Sequence, residues 1–125
     1  MMMLYNFFLV AEPNTGPEPG SDAFVTYMRA YRTFNEETNA AGVFVAGEAV
    51  EAADTATTLE KQGDEIQYHD GPFAELKEQI SGWYVVNCEN LEEALKWAAK
   101  VPLVAYGFGR VEVRPVMDVS KMLEL

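Results

Sequence analysis

The stretch Tyr68-His69-Asp70-Gly71-Pro72-Phe73-Ala74-Glu75-Leu76-Lys77-Glu78-Gln79-Ile80-Ser81-Gly82-Trp83-Tyr84-Val85-Val86 decides the fold of this chain. It reads as a strand end, a rigid turn, a charged connector and a returning strand. Gly71 adopts a positive φ without steric cost. Pro72 fixes its own φ and has no N–H to donate, so the chain must change direction there. Asp70 precedes the turn and can cap it with its carboxylate.

Working outward, Leu4 to Val10 is an apolar run of strand length, and Tyr5, Phe7 and Phe8 favour a strand over a helix. A loop rich in proline and glycine follows from Pro13 to Gly20. Ser21 or Asp22 then caps a helix whose stripe is Phe24, Tyr27, Met28, Tyr31, Phe34 and Thr38, and Gly42 stops it. That stripe reads as core. Val43 to Val50 reads as a strand. Strict alternation would put Phe44 and Glu48 on one of its faces.

Thr55 to Glu60 and Glu65 to Tyr68 read as a polar hairpin around Gln62-Gly63-Asp64. Ile80 to Cys88 is the next strand. Asn90 caps a second helix with the stripe Leu91, Ala94, Leu95 and Ala98, and Glu92 with Lys96 forms an i,i+4 pair. Pro102 stops that helix. Leu103-Val104-Ala105 is a short apolar run leading to a last strand, Arg110 to Val116. The tail holds Met122, Leu123 and Leu125 and is a candidate surface for a partner.

This order, strand, helix, strand, hairpin, strand, helix, strand, is the split βαβ pattern with one inserted hairpin. It predicts a single α+β domain over 1–125 of the ferredoxin-like βαββαβ type. Two helices cover one face of such a sheet. The other face also needs cover, most simply from a second copy.

The ordered set Asp70-Gly71-Pro72-Phe73, Glu75, Lys77-Glu78, Gly82 and Tyr84 resembles the YCII-related family, in the branch named for its Asp-Gly-Pro-Phe motif. Echoes lie at Ala41-Gly42-Val43 through Gly47-Glu48, at Leu91 to Ala99 and at Val111 to Pro115. The resemblance implies a ferredoxin-like α+β domain that dimerises through its sheets into an α+β barrel. It also implies a cofactor-free enzyme of the isomerase, lyase or dehalogenase kind, with Asp70 as general acid or base. Related proteins pair a His with an Asp, which brings in His69. A non-catalytic ligand-binding or interaction module is the alternative, because relatives of this branch occur near sigma-factor-like regulators.

Bulk composition narrows the rest. Twenty acids against 9 bases give a net charge of −11, which disfavours nucleic acid as a partner. The single cysteine, Cys88, rules out an internal disulfide and suits a reducing, cytoplasmic setting. The residues before Tyr5 carry neither a basic region nor a long apolar run, so no membrane span is expected. With one histidine and one cysteine, no zinc site is expected, and the resemblance implies that no cofactor is used. Glu112 and Arg114 share one face of the last strand. With Glu48, Lys77 and Tyr84 they form the candidate binding set for a small anionic molecule: Arg114 would pair with its carboxylate, and Asp70 or Glu48 would move a proton.

Overall fold

A computed structural model describes residues 2–124; Met1 and Leu125, including the expectation that Leu125 contributes to a partner surface, lie outside the described residues. The chain runs β1 (Met3–Ala11), α1 (Asp22–Ala40), β2 (Phe44–Ala49), β3 (Thr57–Gln62), β4 (Glu65–Asp70), β5 (Gln79–Cys88), α2 (Leu91–Ala98), α3 (Pro102–Ala105) and β6 (Arg110–Pro115). Single 3-10 turns lie at Ala53–Thr55 and Val119–Met122. No helix among the described residues is long and apolar enough to cross a membrane.

Four strands form an antiparallel sheet in the order β2-β5-β1-β6. This is the ferredoxin-like arrangement that the strand and helix order predicts. β3 and β4 pair only with each other, as a separate two-stranded sheet.

Tyr5, Phe7 and Leu9 alternate inward along β1, and Tyr84, Val86 and Cys88 along β5. They pack with Phe34 of α1, Ala94 and Ala98 of α2, Val101, and Leu103 of α3. Period-two side chains on the strands thus meet period-3.6 side chains on the helices, which defines one core on one face of the sheet. The opposite face carries Phe8, Val10, Trp83 and Val85, each half-buried.

The helix boundaries follow their caps. Ser21 accepts a hydrogen bond from the Phe24 amide at 3.1 Å, and Asn90 accepts one from the Glu93 amide at 2.9 Å. Gly42 follows α1 with φ 69°, the left-handed stop that glycine favours. Two local readings need correction. The run Leu103-Val104-Ala105 is helical, because Pro102 ends one helix and also suits the first position of the next. In β2, alternation breaks at Val45, where Phe44 pairs with Val86 but Ala46 pairs with Val85. This bulge puts Phe44 and Glu48 on opposite faces, not on one.

Candidate functional site

The seven residues singled out in the sequence do not meet at one point. Asp70 and His69 are the last two residues of β4, on the exposed hairpin. Asp70 pairs with Thr57 and His69 with Thr58, so the two side chains leave opposite faces and form no in-line dyad. The turn after them is pinned by Gly71 N–H to the Ala56 carbonyl at 2.7 Å and by the Thr58 hydroxyl to the Gly71 carbonyl at 2.8 Å. Gly71 has φ 113°, in line with the glycine requirement of the turn.

Glu48, Glu112 and Arg114 do share the sheet face away from the helices. Glu48 pairs with Trp83, Trp83 with Phe8, and Phe8 with Glu112. Three strand spacings therefore separate the backbones of Glu48 and Glu112, about 14 Å. Arg114 Nε donates to Glu112 at 2.8 Å, and its guanidinium lies 5.5 Å from the centre of the Phe8 ring. This is a surface ion pair stacked on an aromatic ring. Lys77 pairs with Glu12 at 3.3 Å. It lines a hollow of about 870 Å³ together with Glu112 and Arg110, and Arg110 is bound to Glu78.

Tyr84 was expected near Glu112 and Arg114. It lies instead on the helix-covered face. Its hydroxyl donates to Asn35 Oδ1 at 3.1 Å, and its ring packs on Phe34 and Phe44. Its partner across the sheet, Gly47, has no side chain, and a Cβ there would lie 2.5 Å from the Tyr84 ring.

Tyr84 belongs to a feature that the sequence did not announce, a cleft of about 710 Å³ between α1 and the sheet. Leu9, Phe44, Tyr84 and Leu103 contribute from the sheet side and from α3. Tyr27, Met28, Tyr31 and Asn35 contribute from α1, and the loops 12–15 and 50–52 form the rim. Its charged lining residues are Glu12 and Glu51 on the rim loops and Glu48 at the edge strand β2, whose side chain leaves the other face of the sheet; among the described residues no Lys, Arg or His lines it.

The Tyr27 and Tyr31 hydroxyls are 3.4 Å apart. Tyr27 is held edge-on by Tyr31, Tyr106 and Phe108, with ring centres 5.2–5.3 Å away. Burial raises all three tyrosines, Tyr84 to about 12 and Tyr31 further still. At 3.4 Å either hydroxyl can be the donor to the other. Whichever donates, the other keeps its proton for another acceptor. One signal for the cleft stood in the sequence. Tyr27, Tyr31 and Tyr84 occupy core positions where Phe would pack equally well, and a buried phenol needs a polar partner.

Fold and cleft together define a ferredoxin-like α+β domain with a hydroxyl-lined apolar cavity under its first helix. The chain belongs to the YCII-related domain family, whose model matches residues 3–120. It is 43% identical over 61 residues to an uncharacterized protein of Rhizobium meliloti (strain 1021). That match spans about half of each protein, 49% of this chain and 49% of the relative. Among solved structures it is similar to a 5-chloro-2-hydroxyhydroquinone dehydrochlorinase from Burkholderia phenoliruptrix AC1100, determined with 2,5-dihydroxybenzoquinone. The similarity covers 92% of this chain and 94% of that one, at 15% identity and a TM-score of 0.49. At that identity and score the likeness says nothing about the chemistry of this chain.

Proposed function

We propose that this YCII-related protein binds a small, uncharged, ring-sized organic molecule in the cleft under α1, with the Tyr27 hydroxyl donating to an oxygen of the ligand. The observation that carries this reading is the lining. Apolar walls and protonated tyrosines surround a cavity of about 710 Å³ whose charged residues are all acids. Small-molecule sites are mostly apolar concavities with a few convergent polar groups. The expected anionic ligand depended on Arg114, which is not among the cleft's lining residues. Asp70 is not among them either. A phenol held above its ordinary pKa serves at neutral pH as a hydrogen-bond donor or general acid, not as a base. Any proton transfer in the cleft would therefore begin from Tyr27 or Tyr31 in the protonated form.

The test is a binding titration followed by calorimetry. Simple phenols and cyclic ketones are compared with carboxylates of equal size. Phenols or ketones are expected to bind and carboxylates are not. Tyr27→Phe should weaken binding by up to about tenfold, the worth of one net hydrogen bond of about 1 kcal/mol. Carboxylate binding that is unchanged in Tyr27→Phe and lost in Arg114→Ala would put the site on the other face of the sheet.

A further inference from the structure

A break in one strand turns a further polar side chain toward the cleft. Leu9 of β1 pairs with Gly82 of β5, but Val10 pairs with Ile80. Ser81 is therefore an extra residue, a bulge, and the side chains before it change faces. Trp83 and Val85 lie on the face away from the helices. In an unbroken strand Gln79 would lie there with them, since alternate residues share a face. With the bulge, Gln79 pairs with Ala11, two residues beyond the buried Leu9, and so lies on the helix-covered face. Burial follows the same pattern: Ile80 is 50% exposed, whereas Gln79 is half-buried and lines the cleft.

The Gln79 amide is oriented as well as placed. The Ala53 N–H donates to Gln79 Oε1 at 3.3 Å. A backbone N–H can only donate, so the oxygen end of the amide faces Ala53 and the nitrogen end faces away from it. That bond leaves both Nε2 hydrogens for another acceptor. The bulge itself is pinned to the cleft rim, because the Val50 N–H donates to the Ser81 carbonyl at 3.0 Å. Gln79 also stands at the end of the sheet beneath Tyr27. The loop that leaves Ala11 packs there: a Cβ on Gly16 would lie 3.4 Å from the Phe108 ring, and Phe108 packs edge-on against Tyr27 at 5.2 Å. Bulges often re-aim a side chain beside a functional site.

We propose that the bulge at Ser81 makes Gln79 a ligand-binding residue, donating from Nε2 to a second oxygen of the molecule whose first oxygen meets the Tyr27 hydroxyl. The proposal rests on the cleft being a small-molecule site and adds a selectivity to it. Neutral rings that carry a second oxygen opposite the first are preferred to rings with one.

The test compares cyclohexanone, its para-dione and its para-hydroxyketone by calorimetry, with circular dichroism as the check on folding. The wild-type protein should bind the dione and the hydroxyketone up to about tenfold more tightly than cyclohexanone, the worth of one further hydrogen bond. Gln79→Glu keeps an oxygen for the Ala53 N–H but puts a carboxylate oxygen where the Nε2 donor was. The dione, which can only accept, should then lose its advantage, while the hydroxyketone keeps its own by donating its O–H. A loosened rim would weaken all three ligands alike and would not separate these two. Gln79→Met, which has neither donor nor acceptor, should bind all three equally. A dione advantage that survives in Gln79→Glu would overturn this role for Gln79. So would a wild-type protein that binds all three equally while Tyr27→Phe weakens each of them, and in that case the cleft remains the site. A wild-type protein that binds none of the three would overturn both the role of Gln79 and the reading of the cleft.

Discussion

At Gly47 a Cβ would lie 2.5 Å from Tyr84 Cδ1 and 2.9 Å from the Trp83 backbone oxygen. The oxygen belongs to a neighbouring strand and cannot swing away. Gly47→Ala must therefore displace the Tyr84 ring or part β2 from β5. Overpacking of this kind costs roughly 1–3 kcal/mol. The expected result is a melting temperature several degrees lower by circular dichroism. Because the Tyr84 ring lines the cleft and its hydroxyl holds Asn35, the same variant should also bind cleft ligands more weakly. A Gly47→Ala protein as stable as wild type would mean that Tyr84 is not seated where this contact places it. The same glycine shows how a single residue shapes a site: its missing side chain is filled by the ring that forms one wall of the cavity.

At the scale of elements, α1 supports one wall of the cleft, and its first turn depends on Ser21. The Ser21 side chain is the acceptor for the Phe24 amide. Ser21→Ala leaves that amide to water, at a cost of about 1 kcal/mol. A matching fall in urea midpoint with an unchanged slope is the expected outcome; a changed slope would show that the denatured or native state had altered in compactness. Caps like this one were legible in the sequence because they act over three or four residues. The helix spans, the antiparallel sheet and the hairpin turn at Gly63 were legible for the same reason, since each rests on local chemistry. The misplaced features depend on partners distant in the chain. The bulge at Val45 is visible only in the pairing of β2 with β5, and it alone decides that Glu48 and Phe44 part company. Tyr84 was assigned to the wrong face because alternation within a strand leaves open which face meets the helices. The cleft arises where α1, the sheet and two loops leave space between them, and no sequence period records a space.

For the whole molecule, the cleft tyrosines and Cys88 tie stability to alkaline pH. Cys88 is fully buried, and burial, with Glu93 adding to it, pushes its thiol up from 9.0 to about 11. Burial likewise pushes Tyr84 from 10.0 to about 12, and Tyr31 is raised for the same leading cause. In the unfolded chain these groups ionise at their ordinary values, so between the two ranges the folded protein holds protons that the unfolded chain has released. A folded-state pKa raised above the unfolded one gives stability that is complete below the unfolded pKa and lost as pH rises through the folded one. Stability should therefore be flat up to about pH 9 and then fall steadily toward pH 11 to 12. The thiol should resist alkylation at neutral pH and react only on unfolding. Urea midpoints measured across that range in wild type, Cys88→Ala and Tyr84→Phe would resolve the contributions. Each variant should start less stable at neutral pH, because it leaves a gap or frees Asn35, and should lose less as the pH rises. If the variants fall as steeply as the wild-type protein, alkaline unfolding is driven by repulsion among the acids behind the net charge of −11, as the lysines neutralise, and not by the buried phenols and thiol.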